Sequence, residues 1–106
     1  MKKNRTIEDY KRAGASMRLL KAVLTEAYMA CSEVMSAKDC DKFEVAIRRV
    51  DTICSKAEDN MFRDFPKLSD QYVDVFYGTP DTCTTEVDKE QIGIMLELVK
   101  GLFKNN

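Results

Sequence analysis

A seven-residue apolar repeat, uninterrupted by proline, sets the first limit on what this chain can fold into. One row runs Tyr10, Met17, Leu24, Cys31 and a second runs Ala13, Leu20, Ala27, Val34. Residues seven apart lie nearly in line along a helix, so the two rows form a narrow seam that seats one helix on another. Tyr28 and Met35 widen it toward its C-terminal half. Thr6-Ile7-Glu8-Asp9 supplies a start, with a capping Thr, acids in the first turn and a carboxylate placed to reach back. The pattern predicts one helix over about 6–36, roughly 45 Å long.

Ser36-Ala37-Lys38-Asp39-Cys40 breaks the repeat, and Asp41 or Asp39 is the expected cap of a second helix. Phe43, Ile47, Val50, Cys54, Ala57 and Met61 follow at helical spacing and predict a helix over about 41–63. Its outward row is Glu44, Asp51 and Glu58. Phe65-Pro66 ends it, because the residue before proline is pushed out of helical geometry. Leu68, Tyr72, Val73, Phe76 and Tyr77 then suggest a short helix over about 69–77, stopped at Gly78. Thr84 or Thr85 caps a last helix to about 104, buried through Ile92, Met95, Leu96, Val99, Leu102 and Phe103. Gly93 and Gly101, each costly inside a helix, are expected at a close helix crossing, as is Gly14.

These pieces make an all-α, up-down helical bundle: three long helices (about 6–36, 41–63 and 85–104) and one short one (about 69–77). Residues 1–5 read as a flexible basic arm, and 6–106 as a single domain. No apolar leader follows the N-terminal cations, and no stretch is long enough to span a bilayer, so the expectation is a cytoplasmic protein without a membrane partner.

Composition removes chemistry. The chain has no His and no Trp, which takes away the commonest general base and metal ligand together. The glycines are isolated, so no phosphate-cradling loop exists. The predicted helix faces turn the carboxylates outward, with Asp88 and Asn60 the only acidic or amide side chains near a buried stripe. Cys31, Cys40, Cys54 and Cys83 have no paired metal-site spacing, and Cys31 and Cys54 fall on apolar faces as small hydrophobes. Cys40 and Cys83 belong to loops at one end of the bundle, where an oxidising environment would allow a bridge. No catalytic residue, metal or cofactor is expected.

The charge is uneven. Residues 1–25 carry seven cations against two anions, a net +5, whereas 58–90 carries nine anions against three cations, a net −6. The expected function is therefore a small non-catalytic interaction module, an adaptor or stoichiometric inhibitor. Its acidic, aromatic-bearing half (58–90) would dock on a basic protein, such as one that binds nucleic acid, through Asp64, Asp70, Tyr72, Asp74, Phe76, Tyr77, Asp81 and Glu86. One alternative is a nucleic-acid binder using Lys2, Lys3, Arg5, Lys11, Arg12 and Arg18, although a pI near 5.5 speaks against it. Another is a small helical enzyme with two inward carboxylates. A homo-oligomer is also expected if the long first helix leaves Tyr10 and Met17 uncovered.

Overall fold

The computed structural model describes residues 4–78 and 85–104. It is a helical bundle, with no strand among those residues. The first helix, α1, spans Ile7–Ser32 and starts as the sequence dictates. The Thr6 hydroxyl accepts from the Asp9 amide at 3.1 Å, and the Asp9 carboxylate accepts from the Thr6 amide at 2.9 Å. The helix stops at Ser32 rather than at 36: the amides of Glu33 and Val34 tighten onto the carbonyls of Ala30 and Cys31, and the chain turns before α2 begins. Ser36, not Asp39 or Asp41, caps α2 (Ala37–Asp64) by accepting from the Asp39 amide at 3.2 Å. A single exchangeable hydroxyl decides that boundary.

After Phe65-Pro66 the chain makes a short 3-10 helix, Asp70–Val75, instead of the expected α-helical turns. The carbonyls that a longer helix would use are taken by side chains from elsewhere. Arg18 donates to the Asp74 carbonyl at 2.8 Å, Gln91 to that of Val75 at 2.8 Å and Lys21 to that of Phe76 at 3.4 Å. The last helix, α3, spans Glu86–Leu102, and the Thr85 hydroxyl accepts from the Asp88 amide at 3.0 Å.

The helix α1 is central. It packs along α2 and separately against α3, while the 3-10 helix packs on α3 and α1; α2 and α3 are not a packed pair. The core gathers at one end, where Tyr10, Cys54, Met61, Val75, Phe76 and Val87 are buried, with Ile7, Met17, Phe62, Phe65, Leu68, Tyr72 and Tyr77 around them. Tyr10 and Phe65 meet edge to face at 6.1 Å between ring centres.

Only one row of the predicted seam is inside. Tyr10 is buried and Met17, Leu24 and Cys31 are half-buried, but Ala13, Leu20 and Val34 are exposed. The flank that closes instead carries Gly14 and Ala15, both buried. At Gly14 the crossing is close: a Cβ there would lie 2.2 Å from the Val75 carbonyl oxygen. Gly93 and Gly101 do not serve that purpose, since a Cβ at either would meet nothing within 4 Å.

Candidate functional site

Two features stand out where α1 and α3 meet: a buried polar cluster, and an apolar groove beside it. The cluster forms on the flank of α1 that bears cations. Arg18, with its side chain 10% exposed, pairs with Asp88 at 2.9 Å while also holding the Asp74 carbonyl. The Asp74 carboxylate accepts from the Thr85 hydroxyl. Gln91, fully buried, donates through Nε2 to the carbonyls of Lys11 and Val75, each at 2.8 Å. Gln71 Oε1 accepts from the Val87 amide at 3.2 Å. Lys11 reaches Glu90 at 2.9 Å, and that hydrogen bond raises the pKa of the Lys11 ammonium.

This cluster overturns the expectation that the carboxylates face water. Asp88 lies near the buried stripe, as its position in the sequence implied; Asp74 and Gln91 are equally enclosed and were not anticipated. Sequence periodicity cannot find Asp74, because it belongs to a short irregular segment with no repeat of its own. Gln91 had a signal: it stands one turn after Val87 on the buried face of α3.

Part of the acidic docking surface expected from the sequence is taken into the fold. Phe76 is fully buried and Asp74 6% exposed, so neither is available to a partner. Asp64 accepts from the Tyr10 hydroxyl and pairs with Arg5 at 3.1 Å. Tyr72 and Tyr77 are half-buried, with Lys11 5.7 Å and Lys21 4.0 Å from their ring centres. Burial and the neighbouring Cys54 thiol push the Tyr77 hydroxyl up to about 12. Asp70 and Glu86 remain exposed, and Asp81 lies outside the described residues.

Three of the six residues of the nucleic-acid footprint are likewise engaged within the chain. Arg5, Lys11 and Arg18 are turned toward Asp64, Glu90 and Asp88 of the chain itself, which leaves Arg12 as the exposed cation of the set within the described residues. Lys2 and Lys3 lie outside them. So does Cys83, and with it the Cys40–Cys83 bridge; Cys31, Cys40 and Cys54 are free thiols.

Beside the polar cluster, the opposite flank of α1 and the outer side of α3 line a concave surface. Ser16, Leu19, Leu20, Val23, Leu98 and Leu102 enclose about 330 Å³ with almost purely apolar walls. It continues past Leu98 and Leu102 into a wider depression of about 690 Å³, reaching Arg12, Glu90, Gly93 and Glu97. The missing side chains of Gly93 and Gly101 keep its floor open. Among the described residues, no group of three or more Cys, Asp or Glu is placed to hold a metal ion, and no helix is long and apolar enough to cross a membrane. No family model, curated protein or solved structure matches the chain.

Proposed function

We propose that this protein is a non-catalytic interaction module whose recognition surface is the α1–α3 groove, where it receives an apolar helix face of a protein partner. The groove, almost wholly apolar in its narrower part and lined also by Arg12, Glu90 and Glu97 in its wider part, carries the reading. It has the form in which grooves take amphipathic helices, with leucines for anchoring side chains and Arg12, Glu90 and Glu97 at the edge for register. The polar groups turned inward support the same view, since Arg18, Asp88, Asp74 and Thr85 are engaged with one another or with backbone, as is Nε2 of Gln91, whose buried Oε1 has no hydrogen-bond partner among the described residues. The adaptor or inhibitor role expected from the sequence is kept in this proposal. Its docking surface moves from the acidic half to the apolar flank.

A photo-crosslinking residue placed at Leu20 or Leu102, in the cell of origin, tests it. Adducts of one discrete mass, absent when the same residue is placed at the exposed Ile53 of α2, are expected. Identical adduct patterns from groove and control positions would overturn the proposal.

A further inference from the structure

The hairpin of α1 and α2 brings two of the free thiols to one level of its seam, at the end away from the buried core. Tyr28 of α1 and Phe43 of α2 meet edge to face there, with ring centres 5.4 Å apart, and the Tyr28 hydroxyl donates to Glu44 at 2.7 Å. Toward the connection, Cys31 stands three residues beyond Tyr28 and Cys40 three residues before Phe43. In an antiparallel pair, a step of about one turn on each helix leads to the next facing level. The register that joins Tyr28 to Phe43 therefore sets Cys31 against Cys40. We propose that these two cysteines form a reversible disulfide, a redox site that clasps the hairpin beside its connection.

Burial agrees with that register. Cys31 and Cys40 are half-buried, whereas Ser32, Glu33 and Val34 after the one, and Lys38, Asp39 and Asp41 around the other, are exposed. Cys31 ends the α1 row of Tyr10, Met17 and Leu24, and Cys40 stands one turn before Phe43 on the inward row of α2. The pKa of the Tyr28 hydroxyl is raised first by its hydrogen bond to Glu44, then by burial and by the charges of Glu44 and Cys40, so the Cys40 sulfur is a neighbour of that ring. The backbone also suits a bridge. The helix α1 ends at Ser32 and α2 begins at Ala37, and so short a connection keeps the two helices together at this end. Packed axes about 8–10 Å apart, with Cα atoms about 2.3 Å off each axis, leave roughly 4–6 Å between facing Cα atoms. A disulfide takes about 4.4–6.8 Å. Cys54 is withheld from this chemistry, being fully buried and donating to the Phe76 carbonyl at 3.6 Å.

A small disulfide, here glutathione disulfide, is the oxidant. The thiolate of one cysteine attacks a glutathione sulfur, forming a mixed disulfide and releasing one glutathione thiolate. The thiolate of the other cysteine attacks the protein sulfur of that mixed disulfide, which closes the Cys31–Cys40 bond and releases the second glutathione. Two electrons pass from the protein to glutathione, and the two cysteine protons end on the two glutathione thiols.

The full chain, equilibrated with reduced and oxidised glutathione, alkylated and digested with trypsin, tests the site. Cleavage after Lys38 separates the two cysteines, so the bridge is read as peptides 22–38 and 39–42 joined. That product is expected from the wild type and from Cys83→Ser alike, with Cys54 left as a thiol. A short loop also closes in an unfolded chain, so the titration is repeated in urea. The folded chain is expected to reach half-conversion at an oxidising strength lower by about 10-fold or more, because a bridge that stabilises the fold is favoured by it to the same degree. A Cys40–Cys83 bridge in the wild type overturns the proposal, as does glutathione held separately on Cys31 and Cys40. So does a chain that stays fully reduced at every ratio, or a bridge that forms no more readily in the folded chain than in urea. The groove lends this site no residue, so either idea can fail while the other stands.

Discussion

At Gly14 the side chain has to be a hydrogen atom, because the Val75 carbonyl occupies the place of a Cβ. Alanine normally stabilises a helix interior by about 1 kcal/mol over glycine, but here the backbone of the 3-10 helix would have to retreat from Arg18 and Gln91. Gly14→Ala is therefore expected to lower the unfolding free energy by about 2 kcal/mol or more. Gly93→Ala, with open space around it, should raise it by up to about 1 kcal/mol. Urea titrations of the two variants check both signs. Glu58 supplies a pH-dependent counterpart. It is half-buried on α2, and burial, reinforced by Asp59 and opposed by Lys21, raises its pKa above 4.5. A raised carboxyl pKa means that the fold favours the protonated form. Stability is lost as the pH climbs from near 4.5 through the raised value, and stays lower above it. Glu58→Gln should raise the melting temperature at about pH 7 and give no gain at about pH 4.

The elements divide into those the sequence makes legible and those that tertiary structure decides. Thr6 and Thr85 cap α1 and α3 where their spacing to Asp9 and Asp88 predicts, because a cap is a local hydrogen bond that needs nothing from the rest of the chain. The row Tyr10, Met17, Leu24, Cys31 is likewise readable, being the stripe that α2 covers. The second row misleads: Leu20 is apolar yet outside, while Lys11 and Arg18 are charged yet turned inward, since their partners arrive from α3 some seventy or more residues later. Periodicity records polarity and not partners, so it assigns such cations to water. The groove was hidden for the same reason, as its walls come from residues expected inside. Arg18→Met should cost about 3–5 kcal/mol by stranding the Asp88 carboxylate. In the Arg18→Met, Asp88→Leu double variant, much of that loss should return, although the Asp74 carbonyl still lacks its donor. Thermal melts of the single and double variants provide the check.

Over the whole molecule, the two charged halves neutralise each other. Arg5, ahead of α1, faces Asp64, and Lys11 and Arg18 of α1 face Glu90 and Asp88, so the surplus charge seen in each half of the sequence does not become a surface field of matching strength. The pairing takes Arg5, Lys11 and Arg18 out of the set with which the basic N-terminal part could displace counterions from a phosphate backbone. Neither duplex nor single-stranded probes are expected to shift in gel mobility at physiological salt, and any retention at low salt should vanish with a shallow salt dependence. The molecule is also extended for its length, with a radius of gyration of 15.6 Å against about 13 Å for a compact domain. An α2 and an α3 that do not pack on each other account for that breadth.

The clasp between α1 and the start of α3 has a consequence in time. Lys11 with Glu90, Arg18 with Asp88, and Gln91 with the Lys11 carbonyl join residues 79, 70 and 80 positions apart. During synthesis, α1 and α2 can form a hairpin as soon as both have emerged, but the charged flank of α1 must wait until α3 has been made. Until then Arg18 stays hydrated and Gly14 faces an empty place. Locking of the structure thus follows formation of the hairpin and is governed by the arrival of α3.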